Sequence, residues 1–175
     1  MKSILIVTFS FFVLVSCGKS QKSSSPSPEE ISAPKKVNVK KSTSNVVVDA
    51  DGVANIVITS SDAMKFDVRK ITVKSGQKVK LTLQHTGKLD KRIMGHNVVI
   101  LQKGVKLSDF AREAAPSKDN DYIPVGTTDV IAHTKMIGGG ETTTIEFTAP
   151  AAGTYDFICS FPSHYAMMKG KFIVE

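Results

Sequence analysis

The chain is predicted to be all-β: a Greek-key β-sandwich with one short inserted helix. Three observations predict it. Beyond residue 54, short runs rich in β-branched and aromatic residues recur: "NIVITS", "KITVKSGQKVKLTLQHTG", "MGHNVVIL", "TTTIEFTAPAAGTYDFICSF" and "GKFIVE". Gly, Pro, Asn and Asp separate them, which is the pattern of many short strands and not of strands alternating with helices. One stretch departs from this: "KLSDFAREAAPS" places Leu107, Phe110, Ala111 and Ala114 at helical spacing, with Ser108 as the expected N-cap.

In chain order, residues 1–17 read MKSILIVTFSFFVLVSC, a lysine followed by an apolar run from Ile4 to Val15. The run is short for a membrane-spanning helix and has the layout of a secretory signal peptide. Leu14-Val15-Ser16-Cys17 resembles the lipobox of bacterial lipoproteins, which implies lipid attachment at Cys17 and a membrane anchor. Gly18 in place of an aspartate implies, by the same resemblance, the outer membrane and a protein on its periplasmic side. Residues 18–53 are rich in Ser, Pro and Lys, with almost no aromatic or periodic apolar content. They are expected to form a flexible tether, since such a segment buries too little surface to offset the entropy of ordering. About thirty such residues span roughly 30 Å. Residues 54–175 are expected to form the folded domain.

Within the domain, "SGQK" after Val73 reads as a hairpin turn and "APAAG" as the connection between two late strands. Residues two apart on a strand share a face. Met94, His96, Val98 and Ile100 are therefore expected on one face, and Tyr155, Phe157 and Cys159 on another, with His96 and Cys159 facing the core at strand ends. The formal net charge of the chain is +7, spread over both signs. No dense basic stripe with interleaved aromatics is present, so nucleic acid is not an expected partner.

The chemistry is concentrated near the end of the chain. Cys159-x4-His164-x3-Met168 lies in "CSFPSHYAMMKG", a loop containing Pro162 and closed by Gly170. With His96 the loop supplies one thiolate, two imidazoles and a thioether. Cys and two His in a plane, with a long weak axial Met, form the ligand set of a blue-copper site. Sulfur suits Cu(I) and imidazole suits Cu(II), so a fixed intermediate geometry serves single-electron transfer.

"MGHNVVI", "VIAHTKMIGGGE" and "CSFPSHYAMMKG" together resemble the azurins, a branch of the cupredoxin family, over residues 55–175. Other small cupredoxins, such as plastocyanins, place the loop histidine closer to the cysteine. The resemblance implies one copper ion with His96, Cys159 and His164 as equatorial ligands, Met168 as axial sulfur, and the Gly95 carbonyl as a second weak axial contact. It implies that the backbone N–H groups of Asn97 and Phe161 donate to the Cys159 sulfur. It also implies that electrons pass through the His164 ring, within an apolar patch expected to include Met64, Met94, Phe161, Ala166 and Met167. His85 matches an azurin histidine beside the site that can titrate with redox state; a structural role is the alternative. His133 is expected at the surface.

Three departures from the azurin pattern stand out. Gly76 occupies one half-cystine position, so with Cys17 lipidated and Cys159 on copper no intramolecular disulfide is available. Val98 stands where a core tryptophan is common. Ser163 replaces the glycine that usually precedes the loop histidine, a change that bears on loop shape.

The expected function is a non-enzymatic blue-copper electron carrier that acts as a monomer. Family resemblance implies a c-type cytochrome as donor, and an oxidase or a copper nitrite reductase as acceptor. The alternatives are a copper storage or delivery protein, or a copper-free binding module on the same sandwich. A Cys159–His164 hydrolase is disfavoured, because an inward thiol with no orienting Asn or Asp lacks an activated nucleophile.

Overall fold

The computed structural model describes residues 45–175; Cys17, the signal segment and most of the expected tether lie outside them. Among the described residues ten strands form two sheets: β1 (Val46–Val48), β2 (Ala54–Ser61), β3 (Lys65–Phe66), β4 (Lys70–Val73), β5 (Lys78–His85), β6 (Val99–Leu101), β7 (Val130–His133), β8 (Thr142–Thr148), β9 (Gly153–Ile158) and β10 (Lys169–Val174). One sheet runs β1-β2-β5-β8, with β3 paired to the end of β2; the other runs β4-β10-β9-β6-β7.

The sheet starts earlier than the sequence reading placed it. β1 falls inside residues 18–53, the expected tether, and pairs antiparallel with β2, Val46 opposite Ile56. Three consecutive valines favour the extended backbone. The Asp49 carboxylate closes the turn, accepting N–H groups from Asp51 (3.1 Å) and Val53 (2.9 Å) and the Asn55 side-chain amide (2.9 Å).

The expected "SGQK" hairpin is instead a crossover: β4 and β5 belong to different sheets, and Gly76 makes the turn at φ 72°. β4 pairs parallel with β10, and β5 pairs parallel with β2. A second crossover joins β8 to β9, where the Tyr155 hydroxyl donates to the Ala151 carbonyl at 2.7 Å and pins the corner.

Between the sheets, alternate residues Ile56 and Ile58, Leu81 and Leu83, and Tyr155 and Phe157 meet Ile71, Val98 and Phe172 in one buried cluster. Each fully buried aliphatic or aromatic side chain contributes about 1.5–3 kcal/mol.

β6 keeps the expected core face at Val98 and Ile100, but its other face is buried as well. Met94 closes a one-turn helix, α1 (Lys91–Met94), and every residue from 95 to 101 is buried. Val98 and Ile100 join the main core, while Val99 and Leu101 pack with Phe110, Ala114, Ile123 and Ile158 in a second cluster. The cause is α2 (Leu107–Ala114), the expected helix, which covers the far side of β6. Its N-cap is Lys106 and not Ser108, with no side-chain cap bond.

Candidate metal centre

His96 and Cys159 come from opposite directions. His96 sits in an isolated bridge, exchanging backbone hydrogen bonds with Ile137 (both 2.9 Å), two residues beyond α1. Cys159 follows β9, its N–H bonded to the Met168 carbonyl at 3.0 Å. The loop between them folds back through the Met168 N–H to His164 carbonyl bond, 2.8 Å. His96, Cys159 and Met168 are fully buried, and His164 is 4 % exposed.

Cys159 Sγ lies 4.0 Å from His96 Nδ1, 3.8 Å from His164 Nδ1 and 3.8 Å from the Gly95 carbonyl oxygen. The three donor atoms all fall within 4.8 Å of one another. A triangle with sides of about 4 Å has its centre about 2.3 Å from each corner, close to the bond lengths of a thiolate or imidazole to a first-row metal.

Neighbouring groups orient these donors. His96 Nε2 donates to the Ser61 carbonyl (3.0 Å), which leaves the Nδ1 lone pair facing Cys159. His85 stacks on His96, centroids 4.4 Å apart and planes 17° apart. Its Nε2 donates to the Met94 carbonyl (3.0 Å) and its Nδ1 accepts from Gly87 N–H (3.0 Å). Both nitrogens are engaged, so His85 acts as a fixed support for the ligand ring. The Asn97 side chain ties two loops together: it accepts the Ser160 N–H (2.9 Å) and donates to the Asp121 carbonyl (2.9 Å).

Gly95 is glycine for space, since its backbone is ordinary extended chain (φ −70°, ψ 143°). A Cβ there would lie 2.4 Å from the Lys91 carbonyl oxygen, 2.9 Å from Met136 Sδ and 3.0 Å from the Phe161 ring.

The copper-binding plastocyanin/azurin family matches residues 53–175, nearly the whole described fold. This chain belongs to that family.

Among relatives, azurin-1 of Alcaligenes xylosoxydans xylosoxydans is 42 % identical over 120 residues, covering 66 % of this chain and 93 % of its own. Azurin of Alcaligenes faecalis is 39 % identical over 120 residues, covering 66 % and 94 %. Among solved structures, auracyanin from Roseiflexus castenholzii aligns with a TM-score of 0.63 at 38 % identity, covering 69 % of this chain and 96 % of that one. Azurin iso-2 of Methylomonas sp. strain J gives 0.64 at 34 %, covering 69 % and 97 %. The chain is an azurin-type cupredoxin.

The donor set of this cupredoxin fits copper: one sulfur and two imidazole nitrogens converge in a buried site, the mixed soft and borderline set that copper takes. Without metal the donors hold their protons differently. Burial pushes the Cys159 thiol up to about 12, only partly opposed by the backbone N–H groups of Asn97 and Phe161. Metal uptake at neutral pH therefore releases the thiol proton. Burial lowers His96 to about 4 and lowers His164 as well, which keeps both imidazoles unprotonated and available as ligands.

The same shift sets an acid sensitivity. Unfolded His96 takes up a proton near 6.5, but the folded side chain resists until about 4. Between those values the unfolded state binds more protons, so stability falls as pH falls. Asp62, lowered by the Lys88 N–H, adds loss of the same sign at more acid pH. The metal-free protein is expected to lose thermal stability steadily from pH 6.5 to pH 4, measured by calorimetry; a flat profile would contradict the burial of His96.

Of the residues expected in the apolar patch, Met64 and Met167 are 36 % and 49 % exposed, Ala166 is exposed, and Met94 and Phe161 are half-buried. The His164 ring lies just under the surface, 4.5 Å from the Phe161 ring. Leu89, just before α1, and Ile93, within it, are exposed and carry no sequence signal, nor does Met136 against Gly95. His133 is exposed.

Ser163 adopts φ 70°, ψ −9°, and the His164 N–H bonds to the Phe161 carbonyl at 3.0 Å. This is a type II turn with Pro162 leading and Ser163 where glycine is preferred. A left-handed non-glycine residue costs about 1–2 kcal/mol, partly offset because glycine gains freedom in the unfolded chain. Ser163 is exposed and its hydroxyl caps nothing. Ser163→Gly is expected to raise stability by about 0.5–1 kcal/mol in denaturant melts without changing the copper spectrum.

Proposed function

We propose that this protein is a type 1 copper electron carrier, in which His96, Cys159 and His164 would hold the metal, with the Met168 thioether and the Gly95 carbonyl as additional weak ligands. The observation that carries the reading is the buried convergence of Cys159 Sγ with the two Nδ1 atoms, at 3.8 and 4.0 Å. Bound copper supplies a one-electron couple.

The chain's own residues make that couple fast and reversible. The His96 ring is held by Ser61 and His85, and the Cys159 sulfur receives two backbone N–H groups. Donors fixed before the metal changes charge have little to reorganise. The half-exposed Met167 and the shallow His164 ring supply a small apolar exit for the electron, of the kind transient redox encounters use. Burial of all three donors argues against copper delivery, and a complete ligand set argues against a copper-free module.

The expected setting is the periplasmic side of the outer membrane, with Cys17 lipidated and the segment after it as a tether. A c-type cytochrome is the expected donor, and an oxidase or copper nitrite reductase the expected acceptor. Reduction with ascorbate and reoxidation with ferricyanide should cycle the copper-loaded protein repeatedly without metal loss; copper passing to a chelator at each reduction would favour delivery. Met168→Leu is expected to keep copper bound and shift the reduction potential in voltammetry, since a thioether would be a weaker ligand than the thiolate or the imidazoles. Complete loss of copper would overturn the weak-ligand role of Met168.

A further inference from the structure

On the outer face of the second sheet, β4 and β10 run parallel with Lys70 opposite Lys171. The Lys171 N–H bonds to the Arg69 carbonyl at 2.9 Å, which brings Arg69 alongside. Lys169 precedes Lys171 by two residues and so shares its face. All four cations are exposed.

Arg69, Lys169 and Lys171 line a shallow groove with Leu107 of α2, and Asp156 is its one carboxylate. Asp156 is taken by Lys171, Nζ to Oδ1 2.6 Å. Asp67, near Arg69 in the chain, is turned to the other sheet, where it accepts the Thr59 N–H at 2.8 Å. Among the described residues Arg69, Lys70 and Lys169 take part in no ion pair.

The place of this strip matters as much as its charge. Lys169 directly follows Met168, and Met167, half-exposed, precedes it. At about 3.3 Å per residue, Lys171 stands roughly 7 Å further down the strand. The strip therefore begins at the proposed electron exit and runs away from it along the sheet.

We infer that the strip Arg69, Lys70, Lys169 and Lys171 is a docking surface for an acidic face of a redox-partner protein; this rests on the electron-carrier reading. A cluster of one sign beside the exit steers an oppositely charged partner and aligns it so that its redox group meets the apolar patch. With a Debye length of about 8 Å at physiological ionic strength, charges at this spacing act together on an approaching partner. An anionic lipid surface would also be attracted, but the position beside the electron exit favours a protein that must come close to His164.

The test is stopped-flow reduction of the oxidised copper-loaded protein by an acidic ferrous c-type cytochrome and by a basic one, from about 20 to 500 mM salt. Each encounter passes one electron to the protein and yields the ferric cytochrome. The triple variant Arg69→Gln, Lys70→Gln, Lys169→Gln leaves the Lys171–Asp156 pair intact. It should slow association with the acidic cytochrome about ten-fold at low salt, converging with the unmodified protein at high salt. Lys103→Gln with Lys106→Gln and Lys118→Gln removes the same charge elsewhere and should change the rate less than two-fold. In parallel, amide NMR shifts of the metal-free protein titrated with the acidic cytochrome should map to residues 69–70 and 167–171. Equal slowing by both variants would overturn the inference in favour of net charge. So would an unaffected cytochrome rate with loss of binding to phosphatidylglycerol vesicles, which would assign the strip to lipid. Failure of the copper-loaded protein to exchange electrons with any reagent would instead contradict the electron-carrier reading itself.

Discussion

Cys159→Ser is expected to abolish the intense visible absorption of the copper-loaded protein while leaving the fold in place. The blue colour of a type 1 site comes from charge transfer between a thiolate sulfur and copper, and Cys159 is the one cysteine among the described residues. Serine keeps the size of the side chain and can still meet the Asn97 and Phe161 N–H groups that face the sulfur. The hydroxyl deprotonates far less readily than a thiol, so no soft anionic ligand forms. Absorption near the thiolate band should vanish. Circular dichroism and the metal-free melting temperature should stay close to those of the unmodified protein.

The second large effect lies two residues earlier. Phe157→Ala is expected to destabilise the domain by about 3–5 kcal/mol, the usual range for a fully buried aromatic. Phe157 is 0 % exposed, tilts against the Phe66 ring at 5.9 Å and fills the space over Gly170. A Cβ at Gly170 would lie 2.2 Å from the Phe157 ring, so the two sites are matched in size. With no disulfide in the described fold, that loss is a large share of a typical 5–15 kcal/mol total. The melting temperature should fall by roughly 10–20 °C in calorimetry. Because Phe157 sits on the strand that delivers Cys159, copper affinity should fall with it.

The metal site was legible because its chemistry is local. Cys159, His164 and Met168 share one short loop, and their spacing does not depend on where the sheets lie. His96 is legible through its place in "GHN" and through the period-two pattern it shares with Val98 and Ile100; what that pattern does not show is that α2 covers the other face of β6, burying Val99 and Leu101 too. Sheet membership was harder: "SGQK" has the composition of a hairpin turn, yet it joins strands in different sheets, and turn residues alone do not distinguish the two. β1 was missed because three valines next to a Lys- and Ser-rich stretch look isolated until the Asp49 turn folds them onto β2. Ser163 departs from the azurin pattern in the sequence, and its physical content is a left-handed angle held by a non-glycine residue. The basic strip was invisible in the chain, since Arg69 and Lys70 meet Lys169 and Lys171 only through the parallel pairing of β4 with β10.

The most direct test of the central claim is a Cu(II) titration of the purified protein followed by visible absorption and electron paramagnetic resonance. The account predicts an intense blue band that saturates at one copper per chain, with narrow hyperfine splitting, and that bleaches reversibly on reduction. A pale spectrum with the wide splitting of tetragonal copper, or no band at all, would contradict it, because it would mean that Cys159 and the two histidines do not close around the metal together.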